Sequence, residues 1–382
     1  MDWALKDIAK KLDAGRRLTE ADGRALFATE DLWTLGELAD RVRRDRHGES
    51  TYYNVNRHFN YSNVCALSCH FCDFHRKRGD AGAYEFSLDD ARQQARLAKD
   101  AGATEIHIVG GLHPYLPFDY YPDMIRAVKE EYPAIHVKAF TAVEIVHLAR
   151  ISKRPNDLVG VLGELKDAGL GSLPGGGAEV FDDRVHDKAF KGKIRSDKWL
   201  AVHDAAHELG LMSNATILYG HIESEADRLN HLLMLRDAQD RAIDAAWPGR
   251  FQTVIPLPFI PGRSKLKHLP GPTGLDDLKM LAISRLILEN FDHVKAFWIM
   301  QSIELAQLSL SFGVDDVDGT VVWYDITKLN APDTHQEMSI RDLRRTIREA
   351  GFSPVERDTL YRRVEREGPN WWLAQPAPQP VA

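Results

Sequence analysis

Cysteine is almost absent from this chain, with three residues in 382, at positions 65, 69 and 72. So low and odd a count excludes a disulfide-stapled scaffold, and clustered thiols in a reducing compartment point to metal ligation instead. Long apolar runs are missing too. The N-terminal MDWALKDIAKKLDAG breaks its apolar residues with charges every few positions, unlike the apolar centre of a signal peptide, and no other window is long enough to span a bilayer. A cytoplasmic protein without a membrane partner is expected. Nor is positive charge in surplus: 49 Lys and Arg face 56 Asp and Glu, a formal charge of −7. With no basic stripe interleaved with aromatics, nucleic acid is not expected as a partner. The densest cationic run, Arg41, Arg43, Arg44 and Arg46, falls where a helix should end and reads as a solvated, dipole-matched terminus.

What is present suffices for a large folded unit. Hydrophobic residues at 44% and charged residues at 27% exclude both disorder and a fibrous repeat. Leu5, Ile8 and Leu12, then Leu35, Leu38 and Val42, recur at helical spacing and predict a helical preface over residues 1–50, with Thr19 capping a short helix between. From about residue 52 the pattern changes to short β-prone runs, each followed by a helical one, the mark of parallel βαβ units. The strand candidates are YYNVNRHF, EIHIVG, HVKAFT, GSLPGG, SNATILYG, FQTVIP, AFWIM and GTVVW. Among the helices between them, SLDDARQQARLAKDAG carries its own punctuation: Ser87 as N-cap, Asp90 three residues later, and Gly102 as terminator. Eight such repeats predict a closed (βα)8 barrel of the TIM type over residues 51–361, followed by a short C-terminal tail, 362–382, that is Pro-rich and partly disordered beyond its Trp pair. In the first strand, alternation puts Asn54, Asn56, His58 and Asn60 on one face, suited to a lumen that binds a polar ligand.

The cysteines lie in CALSCHFC, just after that first strand, spaced C-x3-C-x2-C. A tight loop of this kind can wrap three sulfurs around one small inorganic core. A closed zinc site or electron-transfer cluster normally takes four ligands, so three leave one metal with an open coordination position. Burial of three unliganded thiols would not explain why every cysteine falls within eight positions.

With Phe71 beside the last thiol, the motif resembles the signature C-x3-C-x-aromatic-C of the radical S-adenosylmethionine (SAM) enzymes. The resemblance implies that Cys65, Cys69 and Cys72 bind three irons of a [4Fe–4S] cluster. The fourth iron would chelate the amino and carboxylate groups of SAM, Phe71 would pack near adenine, and reductive cleavage would yield a 5′-deoxyadenosyl radical. It also implies cofactor contacts at the C-terminal ends of the strands. Gly110 and Gly111 in IVGGLHP would meet the methionine amino group, and Glu144 in KAFTAVE the ribose or amino group. Gly175, Gly176, Gly177 and Glu179 in PGGGAE would form an open turn toward the cofactor, and Gly220 and Glu223 in YGHIE would approach the adenine.

From about residue 50 to 361 the motifs are most similar to the aminodeoxyfutalosine synthase family of the futalosine route to menaquinone. That implies a transferase in which the adenosyl radical adds to the enol ether 3-[(1-carboxyvinyl)oxy]benzoate, giving 6-amino-6-deoxyfutalosine, methionine and bicarbonate. An electron donor such as a flavodoxin or ferredoxin is implied as well. Arg263 in PFIPGRSK suits bidentate carboxylate binding, and His58, His113 and His221 lie near earlier strand ends as further substrate contacts. Tyr219 and Thr216 are not placed by alternation alone. The related futalosine-pathway cyclase and the deazaflavin-cofactor synthases share these motifs. Outside the enzymes, an iron–sulfur carrier or structural zinc protein would need His70 or His75 as a fourth ligand. Against these stand the missing fourth cysteine and the size of the barrel, since a carrier needs only a small scaffold.

Overall fold

The structure is a computed structural model that describes residues 3–262, 264–321 and 337–375. Three helices come first, α1 (Trp3–Asp13), α2 (Glu20–Ala28) and α3 (Leu32–His47). Strands β1 (Ser50–Asn54) and β2 (Asn56–Phe59) follow, two halves of one stave interrupted at Val55. Then come α4 (Leu88–Asp100), β3 (Glu105–Ile108), α5 (Tyr120–Glu131), β4 (His136–Ala139), α6 (Ala142–Ile151), α7 (Leu158–Ala168) and β5 (Leu170–Leu173). The alternation continues through α8 (Asp183–Ala189), α9 (Ser196–Glu208), β6 (Met212–Tyr219), α10 (Glu225–Asp244), β7 (Phe251–Pro258), α11 (Gly274–Ile287) and β8 (His293–Val294). After α12 (Trp298–Gln301) and α13 (Ile303–Ser309), the chain runs through β9 (Asp316–Gly319), α14 (Ile340–Glu349), β10 (Ser353–Glu356), β11 (Val364–Glu367) and β12 (Asn370–Leu373).

Strands β2 to β8 form a seven-stranded, all-parallel sheet in sequence order. β9 closes it into a TIM-type barrel. It pairs with β1 through Tyr52↔Asp316 and Asn54↔Gly319 on one side and bridges from Lys295 to Asp316 on the other. The polar face of the first stave points inward as expected: Asn56 accepts from Val321 N at 2.7 Å and His58 faces the central cavity. Helix starts are set by local chemistry. Capping boxes at Thr19–Asp22, Ser87–Asp90, Thr141–Glu144, Ser224–Asp227 and Thr273–Asp276 tie the first N–H groups of five helices to side chains.

The helical preface packs on the barrel's outside. Helix α11 is apolar nearly all round, with Leu278, Met280, Leu281, Ile283, Leu286 and Ile287 buried, because it is sandwiched between β7/β8 and α3. Full burial of each such side chain contributes about 1.5–3 kcal/mol. Against the turn that follows α13, helix α3 carries Gly36, where a Cβ would sit 2.6 Å from the Phe312 ring.

Three local expectations need correction. AFWIM is not a strand: β8 ends at Val294, and Trp298–Gln301 is a helical turn whose Trp298 Nε1 donates to Gly319 O at 2.9 Å. A short buried apolar run does not distinguish the two by periodicity. The last stave begins upstream of GTVVW, at Asp316, and Val322 and Trp323 lie outside the described residues. The arginine run is a solvated helix end except at one position: Arg44 and Arg46 are exposed in the last turn of α3, whereas Arg43 is fully buried and donates to Gly48 O, Ser50 O and Thr51 Oγ1.

Of the residues read as a tail, 364–373 form an antiparallel hairpin, with Trp371 Nε1 donating to Tyr132 Oη at 2.8 Å. Residues 376–382, expected to be disordered, lie outside the described residues. No helix among the described residues is long and apolar enough to cross a membrane.

Candidate active site

A cavity of about 300 Å³ occupies the barrel interior and opens at the C-terminal ends of the strands. All three cysteines line it, on the loop that leaves β2. The loop is pinned by backbone bonds, Cys65 N to Arg76 O, Ala66 N to Leu112 O and Cys72 N to Cys69 O. Lys77 Nζ adds bonds to the carbonyls of Cys65, Ala66 and Leu67 at 2.8, 3.1 and 3.0 Å. The N–H groups of Leu67 and Leu112 both point at Cys65 Sγ from 3.4 Å. Burial pushes the Cys69 thiol up to about 11 and raises Cys72, against backbone donors at His75 and Phe74 that pull the latter down. Buried thiols ringed by N–H donors are poor as free acids and well suited to a cation, so the set fits an iron–sulfur cluster with one iron left unligated by protein. His75 Nδ1 bonds to Cys72 O at 3.0 Å and His70 is exposed, so the loop is organised around sulfur.

The rim continues across neighbouring strand ends. Gly110 and Gly111 follow β3, and their smallness serves packing first: a Cβ on Gly110 would meet the Tyr61 ring at 2.7 Å, and one on Gly111 the Val64 carbonyl at 2.3 Å. The Gly110 N–H is held by Glu144 and the Gly111 N–H by Ser62 O, so what Gly110 can offer an ammonium is its carbonyl. Glu144 lines the cavity yet is saturated. Oε1 accepts from Tyr61 Oη and Gly110 N, both at 3.0 Å, and Oε2 from Thr141 N and Oγ1, both at 2.8 Å. It is a strut of the rim, and a direct ribose or amino contact would cost one of those bonds. Burial lifts its carboxyl to about 7, the four donors opposing.

Gly175, Gly176 and Gly177 line the cavity above β5, and Glu179 beyond them holds a left-handed φ of 50°. Glu179 forms a buried ion pair with Lys193, which lies 5.0 Å from the Phe71 ring centroid. Burial disfavours the Lys193 ammonium, but Glu179 outweighs it and holds the pKa above the ordinary lysine value. Lys193 was invisible in the sequence because it belongs to the loop after α8, which carries no motif.

The floor is different in kind. His58, His107 and Lys138 stand side by side on β2, β3 and β4 by strand register. Lys295 enters from the end of β8 and Asp318 from β9, and all five line the cavity. Lys138 Nζ is 2.6 Å from Glu105 Oε1, and Lys295 Nζ is 3.3 Å from Asp318 Oδ1. Burial works against the Glu105 charge, but Lys138, Lys295 and Arg357 overcome it and keep its pKa below the usual carboxylate range. Burial lowers His58 to about 4 and also lowers His107, so both imidazoles are neutral at neutral pH. Sequence reasoning found His58 and missed Lys138, Lys295 and His107; lysines in lumen-facing register on two separate strands were the available signal.

Four expected contacts are not in this cavity's lining. His113 is buried, with Nδ1 accepting from Tyr115 N and Leu116 N at 3.2 and 3.0 Å, so it closes a turn. His221 is held in its own loop, Nε2 against Leu218 O at 3.1 Å. Glu223 accepts from Gly220 N, His221 N and Arg228 Nε at 2.6, 2.9 and 2.8 Å, which ties Gly220 and Glu223 to the turn after β6. Thr216 does line the cavity, donating to Gly175 O at 2.6 Å, whereas Tyr219 Oη donates to Asp277. Arg263 lies outside the described residues.

Comparison with known proteins agrees with this geometry. The radical SAM superfamily profile matches residues 59–235, and that of the CofH/MqnC C-terminal region matches 249–369. The chain is 44% identical over 367 residues to an aminodeoxyfutalosine synthase of Thermus thermophilus, covering 95% of this chain and 96% of that one. It is 42% identical over 395 residues to one of Streptomyces coelicolor, covering 100% of both. Among solved structures, methylornithine synthase superposes with a TM-score of 0.71 at 18% identity over 91% of this chain and 97% of that one, a likeness of fold.

Proposed function

Because the chain belongs to the radical SAM superfamily, we propose that it is an aminodeoxyfutalosine synthase, a transferase that joins the adenosyl group of SAM to 3-[(1-carboxyvinyl)oxy]benzoate. With water taken up, the products are 6-amino-6-deoxyfutalosine, methionine and bicarbonate. The observation that carries this reading is the single cavity joining a three-thiol rim to a cationic floor, in a chain alike over its full length to two such synthases. The [4Fe–4S] cluster, when bound, supplies the electron that cleaves SAM to methionine and a 5′-deoxyadenosyl radical.

The protein's own groups have four tasks. Cys65, Cys69 and Cys72 would hold three irons. The Gly110 carbonyl and the turn at Gly175–Gly177, which line the cavity, would approach SAM by backbone, and Phe71, backed by the Lys193–Glu179 pair, would pack against the adenine. Leu218, Ile255, Leu257, Phe259, Phe297 and Met300 wall the lumen with apolar groups that exclude water from a reactive radical. The hydroxyl hydrogen of Thr216 is committed to Gly175 O and is not offered to the radical. A reducing cytoplasmic setting and a small electron-transfer partner, a flavodoxin or ferredoxin, complete the reading.

The test is an anaerobic single turnover of the cluster-reconstituted protein with reductant, SAM and the enol ether, followed by mass spectrometry. A product that keeps the adenosyl carbons joined to the benzoate is expected. Methionine and free 5′-deoxyadenosine alone would retain SAM cleavage and remove the synthase assignment in favour of the related cyclase or a deazaflavin-cofactor synthase.

A further inference from the structure

We propose that Lys138 and Lys295 grip the ring carboxylate of the substrate at the floor of the barrel, leaving the enol ether pointed at the rim. The inference rests on the synthase reading above for the identity of the anion, and on geometry for its place.

Among the described residues that line the cavity, the cations are Lys138, Lys193 and Lys295. Lys193 is at the rim and is taken by Glu179 and the Phe71 ring. The other two approach from the third and seventh of eight staves, so they face one another across the lumen. Each ammonium has three N–H donors, and among the described residues each is paired with one carboxylate, Glu105 for Lys138 and Asp318 for Lys295. Donors remain for a third anion between them. His107 adds a polar edge on the same layer, its Nε2 buried without a hydrogen-bond partner among the described residues, and burial keeps both floor histidines neutral; burial also lowers the Lys138 pKa, with Glu105 opposing it. Two lysines buried to 5% and 2% exposure are costly to keep, which makes a purely structural purpose a poor account of them.

The orientation follows from the substrate's own bonds. The radical must meet the vinyl carbon, and the enolpyruvyl carboxylate sits on that vinyl group, so the carboxylate that can lie deep is the one on the ring. His107 precedes Gly110 by three residues, and at ~3.3 Å of rise per residue the floor lies roughly 10 Å below the rim, a depth matched by the substrate from ring carboxylate through ring and ether oxygen to vinyl carbon.

The test is anaerobic equilibrium binding to cluster-loaded protein with two probes, the enol ether diacid and 2-phenoxyacrylate, which lacks the ring carboxylate. The variants remove both members of a pair, K138M/E105Q and K295M/D318N, so that no lone buried charge remains; either serves if the other misfolds. Diacid affinity should fall about tenfold to a hundredfold, the range for charged hydrogen bonds, while phenoxyacrylate and SAM binding change less than about twofold. Equal losses for both probes, or no loss for either, would overturn the proposal. Isophthalate separates this claim from the synthase reading. Wild-type protein that binds isophthalate through the lysines but ignores the enol ether keeps the floor site and loses the proposed reaction, and wild-type protein that binds no aromatic dicarboxylate loses the floor site.

Discussion

The rim and the floor of this cavity are built by opposite means. The rim is made of loops just past the strand ends, where thiols, backbone N–H groups and glycines face the cavity and the charged groups, Lys77, Glu144 and the Lys193–Glu179 pair, are spent on the chain's own carbonyls, N–H groups and each other. The floor is made of side chains on the strands themselves, and its cations are countered by carboxylates within the same wall. The rim's grip therefore depends on the path of the chain. The floor's depends on which side chains occupy lumen-facing positions, and it can be altered without moving the backbone.

The largest expected effect of separating the two lies at the rim. Cys69→Ser should abolish turnover, by about a thousandfold or more, because the set of iron ligands is then incomplete. Iron content and the visible absorption of the reconstituted protein should fall with it, while thermal unfolding of the apoprotein changes little. A variant that keeps a full cluster would break the assignment of the thiols. At the floor the expected effect is on folding. Lys138→Met alone strands the Glu105 carboxylate in the lumen wall and should cost roughly 3–5 kcal/mol, most of it regained in K138M/E105Q. Urea unfolding of the two variants checks this, and equal stabilities would mean that Glu105 reaches another partner.

The same division explains what could be read from the sequence. The rim was legible because its chemistry is written in contiguous residues. CALSCHFC and VGGLHP are motifs, and motifs survive being read along the chain. The barrel was legible for a similar reason, since eight β/α alternations are a one-dimensional pattern. The floor was not, because Lys138, Lys295 and Asp318 meet only when the sheet closes, and each alone reads as an ordinary charge. His113 and His221 failed in the reverse way. They sit near strand ends as the barrel rule requires, but each is consumed by its own turn, a contact that spacing cannot reveal. AFWIM failed because an apolar run reports burial and not conformation.

Glu144 tests whether the rim depends on charge at all. Its carboxyl, raised from 4.5 to about 7 by burial, binds a proton in the folded protein over a range where the unfolded chain has lost it. The stability it confers is therefore present below about pH 4.5 and lost as pH rises to 7, a slope worth about 3 kcal/mol in total. The Tyr61 and Thr141 hydroxyls can each turn from donor to acceptor, which lets the protonated form keep its bonds. In Glu144→Gln this slope should vanish, so the wild-type advantage over the variant should shrink between pH 4.5 and 7 in paired urea titrations. An advantage that grows with pH would mean that the four donors outweigh burial.

The smallest expected effect is also the sharpest on the difference between rim and helix. Of the five capping boxes, those at Thr19, Ser87, Ser224 and Thr273 use Asp at the third helical position, and that at Thr141 uses Glu. Asp closes the box well enough in four cases, so the extra methylene of Glu144 is not needed to start α6. What it adds is reach, since Oε1 extends past the helix end to Tyr61 and the Gly110 N–H. Glu144→Asp should keep the cap and release those two contacts. Unfolding free energy should then fall by about 2 kcal/mol, the size of two net hydrogen-bond losses, while SAM affinity weakens severalfold as the Gly110–Gly111 segment loosens. Unchanged SAM affinity in that variant would mean that packing against Tyr61 and Val64 holds the segment by itself, and the rim would then owe nothing to the carboxylate.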